Sequence, residues 1–247
     1  MTPHRLVLLS GPSCMGKTPL ARWLRRLYPD VMASLRPLVL YNSRKPRPGE
    51  RDGESYHFRS TAQLRAMRGD PRYAVVEVRN DLQAVDLEAL EDMLQETGVL
   101  FEGSPATAAA LHQRAGERRI PVRAVFIAPL SGEEISSLRG ADAEGLDELV
   151  AGMMLRKQLR RAAKLGQTLD LPAVRGLEVR AAAAPEELRL AHRFDYVVPN
   201  HDGEDSEHWD AYPAPIGDAG KTVHAVAALL RGQAPALAER WPAGLLE

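Results

Sequence analysis

Apolar and polar positions alternate along the chain in short blocks. Residues 5–9 (RLVLL) form an apolar run of strand length that ends at the turn signal Ser10-Gly11-Pro12. From Lys17 to about Leu27, the residues Leu20, Trp23, Leu24 and Leu27 recur at helical spacing with arginines between them. Pro29 ends that segment. Residues 38–41, 73–78, 99–101, 122–127 and 194–198 read as further strands. Residues 61–67, 86–96, 106–114, 133–139, 146–164, 185–192 and 221–231 read as helices. Strands that alternate with helices predict an α/β fold on a parallel sheet. The stretch 42–56, rich in Pro and Gly, reads as loop, and the Ala- and Pro-rich tail from Gly232 as loosely ordered.

The chain has 247 residues. At roughly 150 residues per domain, that suggests one large domain with insertions. The 32 basic and 33 acidic residues leave a net charge of −1, so any anion must be held by a local site. A protein that coats nucleic acid would be more basic, and no nucleic-acid partner is expected. The single cysteine, Cys14, forbids an intramolecular disulfide and fits a reducing compartment. No apolar run approaches the ~20 residues of a membrane helix, and no signal peptide is evident. A cytoplasmic protein without membrane contact is expected, as a monomer or homodimer.

The segment Gly11-Pro12-Ser13-Cys14-Met15-Gly16-Lys17-Thr18 matches G-x-x-x-x-G-K-[ST], with a buried strand before it and a helix after it. Glycines let backbone N–H groups turn inward around phosphate oxygens, and the helix N-terminus adds partial positive charge. Lys17 is expected to reach the β- and γ-phosphates of ATP, and Thr18 to ligate Mg²⁺. Cys14 is expected to be a small side chain directed away from phosphate. A second Gly-Lys-Thr, at 220–222, lacks the first glycine, since Pro215 stands there, and reads as an ordinary helix start.

No Asn-Lys-x-Asp occurs, which argues against a Ras-like GTPase. The segment 42–58 presents Arg44 and Arg47 three residues apart, with Tyr56 beyond. Arginine clamps a phosphate through two parallel hydrogen bonds. A phosphate loop plus a downstream anion clamp suggests phosphoryl transfer between two bound phosphate compounds.

Ser43-Arg44-Lys45-Pro46-Arg47-Pro48-Gly49-Glu50, then Asp52-Gly53 and Tyr56-His57-Phe58, resembles the guanylate kinase signature T-R-x-P-R-x-G-E-x-x-G-x-x-Y-x-F. The phosphate loop G-P-S-x-x-G-K is similar to that family's. Residues 125–129 (VFIAP) and 194–200 (FDYVVPN) resemble two of its later elements, in family order over roughly residues 5–200. The resemblance implies an α/β P-loop kinase three-layer fold with a parallel sheet, an inserted acceptor-binding domain and an extended helical lid. The core would comprise about 1–40, 97–138 and 193–231, the acceptor part about 41–96, and the lid about 139–192.

By position, Arg44, Arg47 and Tyr56 would hold the acceptor phosphate, and Glu77 would face its base. Glu102 falls near the family's D-x-D segment, where it would touch the acceptor or order Mg²⁺. Asn200 would lie at the adenine end of the ATP site. The lid helix carries Arg156, Lys157, Arg160, Arg161 and Lys164. Arg156 and Arg160 share a face at i, i+4 and are expected to reach the transferring phosphates. Lys17, Arg44, Arg156 and Arg160 are therefore the candidate catalytic group.

The chain departs from the family in its base pocket. Leu40 replaces a small hydroxyl residue, 83–87 (QAVDL) replaces G-x-Y-G-[ST], and Phe101-Glu102-Gly103 replaces D-x-D. The expected activity is ATP- and Mg²⁺-dependent transfer to a small phosphorylated acceptor, with GMP or dGMP as default. A ribose bisphosphate acceptor and a non-catalytic guanylate kinase-like module are the alternatives. The acidic segment 201–208 fits no zinc spacing and reads as a solvated loop.

Overall fold

The computed structural model describes residues 5–46, 49–141 and 145–246. In chain order the elements are β1 (Leu6–Ser10), α1 (Lys17–Leu27), α2 (Pro29–Met32), β2 (Leu35–Pro37), β3 (Tyr41–Asn42), β4 (His57–Phe58), α3 (Thr61–Ala66), β5 (Tyr73–Val78), β6 (Asp81–Asp86) and α4 (Leu87–Glu96). There follow β7 (Gly98–Gly103), α5 (Pro105–Glu117), β8 (Val122–Ala128), α6 (Gly132–Ala141), α7 (Leu146–Lys164), α8 (Leu171–Ala182), α9 (Ala184–Arg189), β9 (Tyr196–Pro199) and α10 (Gly217–Leu230). This is the α/β alternation that the hydrophobic pattern predicts. Among the described residues, no helix is long and apolar enough to cross a membrane.

The chain divides into two compact units. The first comprises Met1–Leu9 and Ser34–Ala124, and the second Ser10–Ala33 and Val125–Glu247. In the first unit, β2 pairs in parallel with β7, which has β1 on its other side. A separate four-stranded sheet there has the order β4-β3-β6-β5. β5 and β6 form a hairpin whose two-residue turn places Arg79 at φ 58°. Residues directly opposite across such a pair share a face of the sheet. One face carries Tyr41, Val75, Leu82 and Ala84 and packs against Leu64 of α3. The other carries Asn42, Val76 and Gln83 and meets α5.

In the second unit, β8 pairs in parallel with β9 from Val125↔Tyr196 to Ala128↔Pro199. Helix α10 packs on α1 and β9, and α7 packs on α8 and α9. The cores of these layers are aliphatic, with Val125, Phe126, Ile127, Val197 and Val198 fully buried.

The structure departs from the sequence pattern in several places. Residues 38–41 are not one strand: β2 ends at Pro37 and β3 starts at Tyr41. Pro29 ends α1 but also opens the single turn α2, because proline's fixed φ suits the first helical position. β6 and α8 were not legible. DLQAVD reads as neither periodicity, and α8 buries only Leu177 and Ala181, too few to mark a stripe.

Candidate active site

The phosphate loop lies in the second unit. Gly11 has φ 145° and Gly16 φ 84°, conformations that side-chain-bearing residues rarely adopt. A β-carbon at Gly11 would overlap the Ile127 carbonyl oxygen of β8, and one at Gly16 would sit 2.6 Å from the Trp209 ring. Lys17 folds back over the loop, its ammonium donating to the Gly11 and Pro12 carbonyls at 2.8 and 2.7 Å. Helix α1 opens without a side-chain cap or an acidic residue in its first turn, and it ends with Arg25 and Arg26. Its N-terminal dipole is thus left for an anion. Thr18 is exposed there. Cys14 is buried with φ 71°. Burial, with Glu204 and Asp205 nearby, pushes its thiol up to about 12, so it stays protonated at neutral pH.

Asn200 lies beneath this loop. It is fully buried, and its amide nitrogen donates to the Met15 carbonyl at 3.1 Å and the Asp202 carbonyl at 2.7 Å. Trp209 completes the support. Its indole N–H donates to the Asp202 and Gly203 carbonyls, and its own carbonyl accepts from the Trp23 indole of α1.

The acidic segment after Asn200 is not a solvated loop. The Glu204 N–H donates to the Cys14 carbonyl at 2.9 Å. Asp205 and Glu204 expose only 5% and 13% of their side chains, and they pair with Arg160 at 2.7 Å and Arg161 at 2.6 Å of α7. Lys157 donates to the His201 carbonyl, and Lys164 to the Ser206 carbonyl and Asp210. The basic stripe of α7 is therefore Lys157, Arg160, Arg161 and Lys164, at i, i+3, i+4 and i+7. Arg156 falls off that stripe and is exposed. Arg161 and Lys157 of α7 partly offset the rise of the Cys14 thiol pKa that burial, Glu204 and Asp205 cause. The spacing of basic residues could have shown this face; choosing a partner required the acidic loop.

His201 stands at the head of that loop, between two carboxylates. Nδ1 is 2.6 Å from Asp218 and Nε2 is 3.0 Å from Glu134. Burial works against its charged form, but the two carboxylates raise its pKa overall. His208 faces Asp202 at 2.8 Å, and Asp202 also accepts from the Ala219 N–H.

The candidate anion clamp lies in the first unit. Arg44 grips Glu50 with both terminal nitrogens, at 2.6 and 2.5 Å, the two-pronged contact that a phosphate would make. Its guanidinium sits 5.0 Å from the Tyr56 ring centroid and 5.6 Å from that of Phe58. Burial disfavours its charge, yet Glu50 and Tyr56 more than offset this. The Arg44 backbone N–H is held by Asn42 Oδ1 at 3.1 Å. Arg44, Glu50 and Tyr56 are thus brought together, while Arg47 lies outside the described residues.

Glu77 is on the α3 side of the sheet, opposite Leu82, 69% exposed and paired with Arg68 at 3.4 Å. Asn42 and Gln83 occupy the other side, so the structure does not bring Glu77 to them. Glu102 is half-buried near the end of β7. Gln83 is a polar residue in the otherwise apolar run Leu82–Val85, within the segment that replaces G-x-Y-G-[ST], whereas its α5 partner Thr107 carries no sequence signal.

The donor set suits a nucleoside triphosphate with a hard divalent cation. A backbone cradle, an ammonium and an uncapped helix end suit phosphate, and the Thr18 hydroxyl at the start of α1 is a hard oxygen donor. Among the described residues, no group of three or more His, Cys, Asp or Glu could hold a metal ion.

A strand–loop–helix phosphate cradle within a mostly parallel α/β fold defines a P-loop phosphotransferase. No protein-family model matches the chain. It is 32% identical over 201 residues to a guanylate kinase from Nitratidesulfovibrio vulgaris, covering 81% of this chain and 80% of that one. It is 33% identical over 204 residues to one from Corynebacterium jeikeium, covering 80% and 89%. The crystal structure of guanylate kinase from Anaplasma phagocytophilum shares the fold, with a TM-score of 0.56 at 18% identity over 94% of this chain and 87% of that one. The chain belongs to the guanylate kinase family and is a guanylate kinase-like phosphotransferase.

Proposed function

We propose that the protein transfers the terminal phosphoryl group of ATP to the phosphate of a nucleoside monophosphate, GMP or dGMP first. The observation that carries this is the phosphate loop: two glycines at positive φ, Lys17 folded across it, and an α1 N-terminus free of capping side chains and acids. The loop amides and Lys17 would hold the β- and γ-phosphates. Arg44, Arg47 and Tyr56 would hold the acceptor phosphate. Thr18 and Glu102 are the residues proposed to hold Mg²⁺, which when bound spreads the charge that develops on the transferring group. Catalysis is positioning and charge neutralisation, without a covalent nucleophile. Lys157 and Arg161 join Arg156 and Arg160 as the proposed cations of the lid. The enzyme would act in the cytoplasm as a monomer or homodimer.

The test is ADP release from ATP and Mg²⁺ across nucleoside monophosphates and sugar phosphates, with Lys17→Ala as blank. Stimulation by GMP or dGMP, reduced roughly 10²–10³-fold in Lys17→Ala, is the expected result. Stimulation by a ribose bisphosphate alone would replace the acceptor. No stimulation by any acceptor would leave the non-catalytic binding module.

A further inference from the structure

The α5-facing side of the four-stranded sheet carries one polar group whose setting nothing above has used. Gln83 is 8% exposed. Its Oε1 accepts the hydroxyl proton of Thr107, a fully buried residue of α5, at 2.7 Å. The Thr107 hydroxyl lies 2.8 Å from that of Ser104, the N-cap of α5. A proton chain from Ser104 to Thr107 to Gln83 thereby spends the amide's oxygen and orients the amide. The NH₂ end has no hydrogen-bond partner among the described residues, and it is not one of the atoms sealed from solvent.

The place of this amide matters. In register, Gln83 stands directly opposite Asn42, which holds the backbone of Arg44. Opposite residues of this kind carry their β-carbons about 4.5–5.5 Å apart. Its other cross-strand neighbour is Val76, and Ala74 and Val85 follow on the same face. An oriented N–H donor beside Asn42 and the apolar Val76, Ala74 and Val85, one strand from the candidate anion clamp, rewards a ligand oxygen and penalises a ligand that brings another donor.

We propose that Gln83 is a specificity residue for the acceptor, donating to the carbonyl oxygen of a 6-oxopurine base, and that Thr107 is the positioning residue that fixes its amide. This rests on the nucleoside monophosphate reading above. The choice of base then comes from Gln83, with Glu77 turned to the other side of the sheet.

The experiment compares kcat and KM for GMP, IMP and AMP, together with KM for ATP. The proteins are the full-length chain, Gln83→Leu, Gln83→Glu, Thr107→Val and Thr107→Ser, each checked for native circular dichroism and Tm. Gln83→Leu is expected to lower kcat/KM for GMP and IMP roughly tenfold to a hundredfold, leaving KM for ATP in place and narrowing the gap to AMP. Gln83→Glu, an acceptor only, is expected to move the preference toward the 6-amino base. Thr107→Val should lose part of the discrimination, and Thr107→Ser should restore it. An unchanged GMP-to-AMP ratio in Gln83→Leu overturns the proposal. So does an equal loss for all three nucleotides, which would assign the amide to the shared phosphate. If the wild-type chain phosphorylates none of them, the kinase reading fails separately. Calorimetric Kd values for GMP and AMP on wild type and Gln83→Leu then decide the role of Gln83 by the same ratio.

Discussion

The phosphate loop of the second unit and the four-stranded sheet of the first, where we propose that the acceptor binds, are built on opposite principles. The loop works through backbone groups. Its conformation is imposed by Gly11 against Ile127, Gly16 against Trp209, and the Asn200 amide on Met15. The motif places no chemical demand on the side chains of Pro12, Ser13, Cys14 and Met15, and Cys14 and Met15 are turned into the core. The four-stranded sheet offers side chains presented by short strands. β3 and β4 have two residues each, and what they present depends on register, since a slip of one residue exchanges the two faces. A site made of backbone is announced by glycines at fixed spacing, whereas a site made of side chains is known only when the pairing is known.

Substitutions can break or sharpen this comparison. The largest expected effect is Trp209→Ala, which removes a fully buried indole and its hydrogen bonds under the loop. It should cost roughly 3–5 kcal/mol in chemical denaturation and weaken ATP binding in calorimetry, although Trp209 lies outside the motif. Next is Gly11→Ala, a single methyl in the conformation least open to it. A fall in kcat/KM for ATP of at least ~100-fold is expected, because a displacement of about 1 Å in such a site carries that cost. Retained activity in that variant would mean that the backbone is not the determinant.

A smaller effect is expected from pH. The raised pKa of His201 adds stability that is complete below the histidine's ordinary 6.5 and fades as pH rises through the raised value. The lowered pKa values of Asp202, Asp218 and Glu134 add stability present above their ordinary 3.8–4.5 and lost as pH falls through the lowered values. Tm of the full chain should therefore peak between about 4.5 and 6.5. His201→Gln should flatten the alkaline limb, an effect of about 1 kcal/mol or less at this half-exposed site. The smallest effect is Glu77→Gln. An exposed carboxylate paired with Arg68 should change stability by less than about 0.5 kcal/mol and acceptor KM by less than twofold. A tenfold rise in acceptor KM would return Glu77 to the acceptor site.

The sequence reading was strongest where one element carried its own signal. The expected helix over 146–164 and strand over 73–78 match α7 and β5 at both ends. It failed where an element is defined by a partner. β6 carries no alternation because both of its faces are covered, Leu82 and Ala84 by α3 and Gln83 by α5. The acidic run 201–208 reads as solvated by composition. Only the approach of α7 turns Glu204 and Asp205 into buried partners of arginine.

From residue order alone followed the α/β class and the phosphate loop with Lys17 and Thr18, because the periodicity of each short element and the G-x-x-x-x-G-K-[ST] spacing are set by residues near one another in the chain. Tertiary structure alone decided that Asn200 and Trp209 carry the loop, that Lys157, Arg160, Arg161 and Lys164 form the committed face of α7, and that Gln83 and Glu77 stand on opposite sides of one sheet. These outcomes rest on register and packing between segments far apart in the chain, and local preference does not encode which face of an element will find a partner.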